Sequence, residues 1–308
     1  MNTAAHAWDV IIIGGGPAGL SAGLYTARAG LRSLLIEHGA VGGQIINTEW
    51  VENYPGVKGT VTGIDLTQAM HEQAAGFGLE TVYADVSGIT IDGKFRVVHT
   101  SGEDYTARAV IIAAGSERQK LGVPGEADYT GKGVSYCATC DGAFFRDKEV
   151  AVVGGGNAAL TEALELTRFA SKVTLIHRRD EFRGLAVLAE KTQATGKVDF
   201  LLDSVVDEVL GEQFVTGLKV SNVKTKEQQT LPVSGFFVAV GFRPNTEHFK
   251  GTVELDQQGS IVVDNLMATN VPGIFAAGDI RNGSIRQVIA AAGDGAVAAV
   301  SAGRYLHG

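Results

Sequence analysis

The segment VIIIGGGPAGLSAGLYTARAGLRSLLIE at residues 10–37 decides the fold, because it returns as VAVVGGGNAALTEALELTRFASKVTLIH at residues 150–177. Aligned without a gap at a shift of 140, ten of the 28 positions are identical: Val10, Gly14, Gly15, Gly16, Ala18, Leu20, Leu24, Arg28, Leu35 and Ile36 with their partners. Each copy reads as an apolar strand, a glycine-rich turn, an amphipathic helix and a second strand, a βαβ unit of dinucleotide-binding type. Gly14 and Gly154 allow the sharp turn out of the strand. Gly16 and Gly156 let the backbone approach a pyrophosphate, and Gly19, or Ala159 in the second copy, lets the helix pack close on the strand. Pro17-Ala18 and Asn157-Ala158 then open the two helices, whose N-termini offer unpaired N–H groups to phosphates.

The copies differ where their ligands differ. Glu37 ends the first unit, and a carboxylate there accepts hydrogen bonds from ribose hydroxyls, which suits FAD or NAD. His177 takes that place in the second unit, followed by Arg178, Arg179 and Arg183. A 2′-phosphate repels a carboxylate and is gripped by guanidinium forks, so the second site suits NADP(H). The bland alternative is a solvated charged loop in which Asp180 and Glu181 offset the arginines.

Strand-like segments follow each unit: residues 81–100 with a hairpin turn at Asp92-Gly93, ending in Ala109–Ala113 and Gly115, and residues 205–234, ending in Phe236–Val240 and Gly241. A third strand-then-glycine segment, Gly273–Asp279, has no glycine-rich turn before it. The simplest account is one domain interrupted by another: residues 1–115 and 246–308 form the first, and residues 116–245 the insert. The expected fold is α/β, two Rossmann-like three-layer ββα dinucleotide-binding domains, with an NADP(H)-type domain inserted in one that suits FAD or NAD.

Composition narrows the function. The 308 residues suffice for two cores without disulfide stapling. A net charge of −8 argues against nucleic acid as the main partner. No apolar run approaches the ~18 residues of a membrane span, and the N-terminus lacks the basic start of a signal peptide. With only two cysteines, a reducing, cytoplasmic location is the default.

Both cysteines lie in Cys137-Ala138-Thr139-Cys140, followed by Asp141 and just ahead of the second unit. Zinc needs four ligands; no second pair exists, and His6, His38, His71, His99, His177, His248 and His307 are scattered, so no metal is expected. A structural thiol pair is a second reading. A redox dithiol is the third and favoured one, because two thiols at this spacing close a small ring reversibly and their thiolates are readily stabilised. Asp141 could move the proton that dithiol formation requires, or could merely serve the turn with Gly142.

Together these segments resemble the low-molecular-weight thioredoxin reductases over nearly the whole chain. The resemblance is carried by GGGPAG (14–19), GGQ (42–44), ENYPG (52–56), SYCATCDGAFF (135–145), GGGN (154–157), HRRDEFR (177–183), GFRPNT (241–246), FAAGD (275–279) and IRQVIAAAGDG (285–295). It implies that Cys140 faces the flavin, that Cys137 attacks the disulfide of a protein substrate, thioredoxin, and that Asp141 is the general acid/base. It places Gly14, Gly16, Pro17, Ala18, Gly19, Glu37, Gly43, Gln44, Asn53, Gly115, Gly278 and Asp279 against FAD, with Arg286, Gln287 and Val288 near the isoalloxazine. It gives Gly154, Gly156, Asn157, Ala158, His177, Arg178, Arg179 and Arg183 to NADPH. It further implies a homodimer, a docking surface that includes Phe144 and Phe145 if they are exposed, the other reading of such a pair being core, and an insert that turns about residues 115–119 and 241–247 between half-reactions. Ala114 and Thr161 depart from the family pattern, which often has Thr and an acidic residue there. A reductase of another dithiol carrier would share these motifs, and a FAD-bound redox sensor is the non-enzymatic alternative.

Overall fold

The computed structural model describes residues 7–48 and 51–308, apart from the side chain of Asn47. The described residues form two compact units, one built from those up to Glu117 together with Arg243–Gly308, the other from Arg118–Phe242.

In the first unit, β1 (Trp8–Ile13) leads through the first glycine turn into α1 (Pro17–Arg28) and β2 (Ser33–Glu37); α2 (Gly63–Gly76) and β3 (Glu80–Tyr83) follow. An antiparallel meander comes next, β4 (Val86–Asp92), β5 (Phe95–Thr100) and β6 (Tyr105–Ile112). The parallel order is β3-β2-β1-β6, with Ile12 opposite Leu35 on one side and Ile111 on the other. The apolar run Val10–Ile13 of β1 is explained by burial on both faces. Val10 and Ile12 enter the core on the helical side, and Ile11 and Ile13 the core on the opposite face.

Strand β7 (Ser116–Arg118) leads into the second unit. There β8 (Val134–Ser135), the short helix α3 (Ala138–Asp141) and β9 (Glu149–Val153) precede the second glycine turn, which opens α4 (Asn157–Leu166). Then come β10 (Lys172–Ile176), α5 (Ala186–Gln193), β11 (Val198–Leu201), the meander β12 (Ser204–Gly211), β13 (Val215–Asn222) and β14 (Gln228–Pro232), and β15 (Gly235–Val238). The parallel sheet is ordered β11-β10-β9-β15-β8, and the meander is a separate antiparallel sheet. Val150, Val152, Leu175 and Phe237 pack under α4, whereas Ala151, Val153, Ile176 and Phe236 pack against Val206, Leu218 and Val220 of the meander. This alternation produces three layers, helix, parallel sheet and meander.

The chain returns through β16 (Phe242–Pro244), which pairs with β7 in a two-stranded ribbon. Strand β17 (Ile274–Ala276) then pairs with the second half of β6, whose first half pairs with β5. The 20-residue α6 (Val288–His307) closes the first unit. It lies close on α1 because both helices carry small residues there: a Cβ on Gly295 would sit 2.0 Å from the Ala18 carbonyl oxygen. Among the described residues no helix is long and apolar enough to cross a membrane.

Candidate active site: two glycine cradles and a cysteine turn

Gly14 has φ +104°, and a Cβ there would lie 2.5 Å from the carbonyl oxygen of Ala113. Gly19 has even less room, since its Cβ would fall 1.8 Å from the Gly14 carbonyl oxygen. The turn therefore brings the N-terminus of α1 to the carboxyl ends of β1 and β6, where open α/β sheets bind ligands. Helix α2 is capped by the side chain of Thr62, but α1 and α4 start at Gly16 and Gly156 with no side-chain cap. Their first-turn N–H groups are thus left for a ligand such as a pyrophosphate. These cradles fit the dinucleotides that the sequence implies.

Glu37, buried at the end of β2, accepts a 2.6 Å hydrogen bond from the Gly15 N–H and one of 2.9 Å from the Gly39 N–H. The same unit brings together other expected residues. Asn53 Nδ2 donates to Gln287 Oε1 at 3.3 Å. Ser284 Oγ donates to Asp279 Oδ1 at 2.8 Å and accepts from the Arg286 N–H. Gly278, with φ +80°, lies so close to Ala18 that a Cβ would approach its methyl to 2.8 Å. Gly43 lies against Gly16, Gln44 is exposed, and Val288 opens α6 with no side-chain cap before it.

Sequence reasoning missed what holds that loop. Arg281 Nε and Nη2 donate to the two carboxylate oxygens of Asp294, at 2.8 and 2.9 Å, and the Gly278 N–H donates to the same carboxylate. The signal was a lone acid in the small-residue run AAAGDGAVAA of α6. Asp294→Asn weakens a largely buried bidentate pair, so chemical denaturation is expected to show a loss of about 2 kcal/mol. An unchanged midpoint would show that the pair is replaceable.

In the second unit, His177 is buried under the glycine turn; a Cβ on Gly155 would overlap its ring. Its ring stacks on Phe182 at 5.4 Å. Burial lowers its pKa, and Arg183, Arg179 and Arg178 lower it further, against the opposing effect of the Glu181 backbone. Those three arginines are exposed, and none has a carboxylate partner among the described residues. Asp180 pairs instead with Lys224, at 2.8 Å. The Arg183 N–H donates to the Gly155 carbonyl, tying the arginine loop to the glycine turn. Asn157 Oδ1 accepts from the Leu185 N–H, and Ala158 lies in the first turn of α4.

Cys137 and Cys140 form a disulfide, with Cα atoms 5.3 Å apart, at the start of α3. The Cys140 N–H points at Cys137 Sγ, at 3.1 Å. Asp141 ends α3, and its side chain makes no capping hydrogen bond to the short helical turn that follows. Its Oδ2 accepts a 2.6 Å hydrogen bond from Ser135 Oγ, which itself accepts from the Cys137 N–H. Ser135, not anticipated, thus links the carboxylate to the cysteine turn. Phe144 is exposed, but Phe145 is not: it packs edge-on against Phe237 at 5.2 Å, its ring filling the space beside Gly235, so it is core and no part of a docking surface. Among the described residues no three His, Cys, Asp or Glu side chains cluster as metal ligands; His6 lies outside them.

Residues 8–295 match the family of pyridine nucleotide-disulphide oxidoreductases. The thioredoxin reductase of Listeria monocytogenes is 48% identical over 302 residues, spanning 97% of this chain and 94% of its own. That of Bacillus subtilis is also 48% identical over 302 residues, 97% of this chain and 95% of its own. The crystal structure of thioredoxin reductase from Streptococcus pyogenes superposes with a TM-score of 0.93 at 45% identity, covering 98% of this chain and 99% of that one. Flavin and nicotinamide cofactors go with such a match, as does a redox-active cysteine pair at disulfide distance. The chain belongs to the pyridine nucleotide-disulphide oxidoreductase family, among its thioredoxin reductases.

Proposed function

We propose that the chain is an NADPH-dependent FAD enzyme that reduces the disulfide of thioredoxin through Cys137 and Cys140. The observation that carries this reading is the Cys137–Cys140 disulfide in the same unit as the second glycine cradle and three exposed arginines without a carboxylate partner among the described residues. FAD is held by the first unit, through Gly14, Gly16, Pro17, Ala18, Gly19, Glu37, Gly43, Gln44, Asn53, Gly115, Gly278, Asp279, Arg286, Gln287 and Val288. NADPH is held by the second, through Gly154, Gly156, Asn157, Ala158, His177, Arg178, Arg179 and Arg183. When bound, FAD relays to the disulfide an electron pair taken from NADPH.

The chain's own residues do the rest. Opening the disulfide takes two electrons and leaves one thiol and one thiolate after uptake of one proton; Asp141, fixed by Ser135, supplies that proton. Cys137 then attacks the thioredoxin disulfide and forms a mixed disulfide. Cys140 displaces thioredoxin from it, which restores the Cys137–Cys140 bond and releases the partner as one thiol and one thiolate, the thiolate taking a second proton from solvent. Exposed Phe144, four residues past Cys140, gives the partner an apolar foothold. The insert crosses to the rest of the chain only twice, and it alternates between orientations in the cycle. The protein acts as a homodimer in a reducing cytoplasm.

The deciding test is oxidation of NADPH by flavin-loaded protein, with purified thioredoxin present and absent, and with glutaredoxin as a control. Turnover is expected only with thioredoxin. Consumption that ignores thioredoxin, or that needs glutaredoxin instead, would overturn the assignment.

A further inference from the structure

The arginine loop is stitched at its backbone to two distant segments of the same unit. The Asp203 N–H donates to the Arg179 carbonyl at 3.1 Å, and the Val223 N–H donates to the Asp203 carbonyl at 2.6 Å. The turn between β13 and β14 is set by Asn222, whose side-chain oxygen accepts from the N–H groups of Lys224 and Thr225, each at 2.9 Å. This turn presents Lys224 to two acids: its Nζ lies 2.8 Å from Asp180 Oδ2 and 3.0 Å from Asp203 Oδ2. Asp180 stands between Arg179 and Arg183 in sequence, so the guanidinium forks of its own loop are its nearest alternative partners. It pairs instead with a lysine 44 residues away, and the three arginines keep no carboxylate partner among the described residues. Both side chains of the bridge are more than half exposed, 59% for Lys224 and 69% for Asp180, so it adds little to stability. Its effect lies in where the Asp180 charge is held.

We propose that Lys224 is a positioning residue for nucleotide specificity: by holding and neutralising Asp180 from the β13–β14 turn, it leaves Arg178, Arg179 and Arg183 free for a 2′-phosphate. This inference rests on the reading of the second cradle as an NADPH site. A phosphate monoester carries about −1.5 to −2 charges at neutral pH. A carboxylate released into the loop acts against it twice. It repels the phosphate, and it occupies a guanidinium fork that the phosphate would otherwise use. Asp203, only 20% exposed, fixes the ammonium on its other side, so Lys224 reaches Asp180 from an anchored position. An adenosine nucleotide without the 2′-phosphate has no charge at that end for Asp180 to oppose. Lys224 therefore governs discrimination between nucleotides and not nucleotide binding in general.

The test uses the flavin-loaded enzyme and two probes, adenosine 2′,5′-bisphosphate and adenosine 5′-monophosphate, titrated by calorimetry at low salt. The wild type is expected to bind the bisphosphate about tenfold more tightly or better. Equal affinity would fail the NADPH reading of the cradle, and this inference with it. Given that preference, Lys224→Met should weaken the bisphosphate about fivefold and leave the monophosphate unchanged. Lys224→Arg, which keeps the charge, should bind both probes as the wild type does. Adding Asp180→Asn to Lys224→Met should bring the bisphosphate back to within about twofold of the wild type, since no carboxylate is then released. The loss in Lys224→Met should also shrink at high salt. A Lys224→Met enzyme with wild-type affinity for the bisphosphate overturns the proposal. So does a loss that Asp180→Asn fails to recover, which would make Lys224 a direct phosphate ligand. An equal loss for both probes overturns it too, by reducing Lys224 to a structural part of the turn.

Discussion

Cys137→Ser and Cys140→Ser are each expected to lower thioredoxin turnover on the order of a thousandfold or more, while reduction of the bound flavin by NADPH stays at its wild-type rate. Only the dithiol step needs sulfur. A serine hydroxyl neither opens to accept an electron pair nor forms a mixed disulfide, so each variant halts the relay at the same point. Their intermediates differ. Cys140→Ser keeps Cys137, the residue assigned to attack the partner, and should trap thioredoxin as a stable mixed disulfide. Cys137→Ser should trap none. Neither substitution touches the glycine cradles or the arginine loop. Cys137 and Cys140 lie in and beside a helix of four residues, and Ser135, Asp141 and the Ala138 backbone keep their places. The measurement is stopped-flow bleaching of flavin absorbance beside steady-state NADPH oxidation with thioredoxin. Thioredoxin turnover retained in either variant would refute the route, and trapping by Cys137→Ser alone would reverse the two cysteines' roles.

The fold was legible because the chain carries the same unit twice. A glycine turn between an apolar strand and an amphipathic helix imposes a steric pattern that a sequence displays directly: Gly14 and Gly19 occupy positions where no Cβ fits. The cysteine turn was legible for a similar reason, since two thiols three residues apart have few uses. What the sequence hid depends on contacts between distant segments. Ser135 matters through Asp141, six residues away and across the turn. Asp294 matters through Arg281, at the opposite end of a loop. Glu165 matters through Thr139, 26 residues away, and only the packing of α3 on α4 brings the two together. Phe145 shows the converse. An adjacent aromatic pair reads equally as docking surface or as core, and the structure divides it: Phe145 fills the space beside Gly235 while Phe144 stays exposed.

Arg178→Ala combined with Arg179→Ala should erase the preference for NADPH over NADH, a change on the order of a hundredfold in relative kcat/KM. Asp180, the nearest acid in sequence, is engaged by Lys224 and not by the arginines, and Lys224 also reaches Asp203, at 3.0 Å. The loop is therefore not the self-neutralising surface that its composition allows. Arg178, Arg179 and Arg183 add up to a field strong enough to help lower the pKa of the buried His177 ring. His177 stands where the first unit has Glu37, so no carboxylate opposes a phosphate on the ribose. Each guanidinium contact with a 2′-phosphate, discounted for solvent exposure, contributes roughly 1.4 kcal/mol, or about tenfold. Two lost contacts give the hundredfold change. Most of it should appear in the KM for NADPH, with kcat and the NADH kinetics little altered, because the phosphate lies far from the transferred hydride. The salt dependence of the NADPH KM should flatten in the double variant, as expected for a lost charge contact. Equal use of both nucleotides by the wild-type enzyme, or a double variant whose preference is unchanged, would reduce the cluster to a solvated loop.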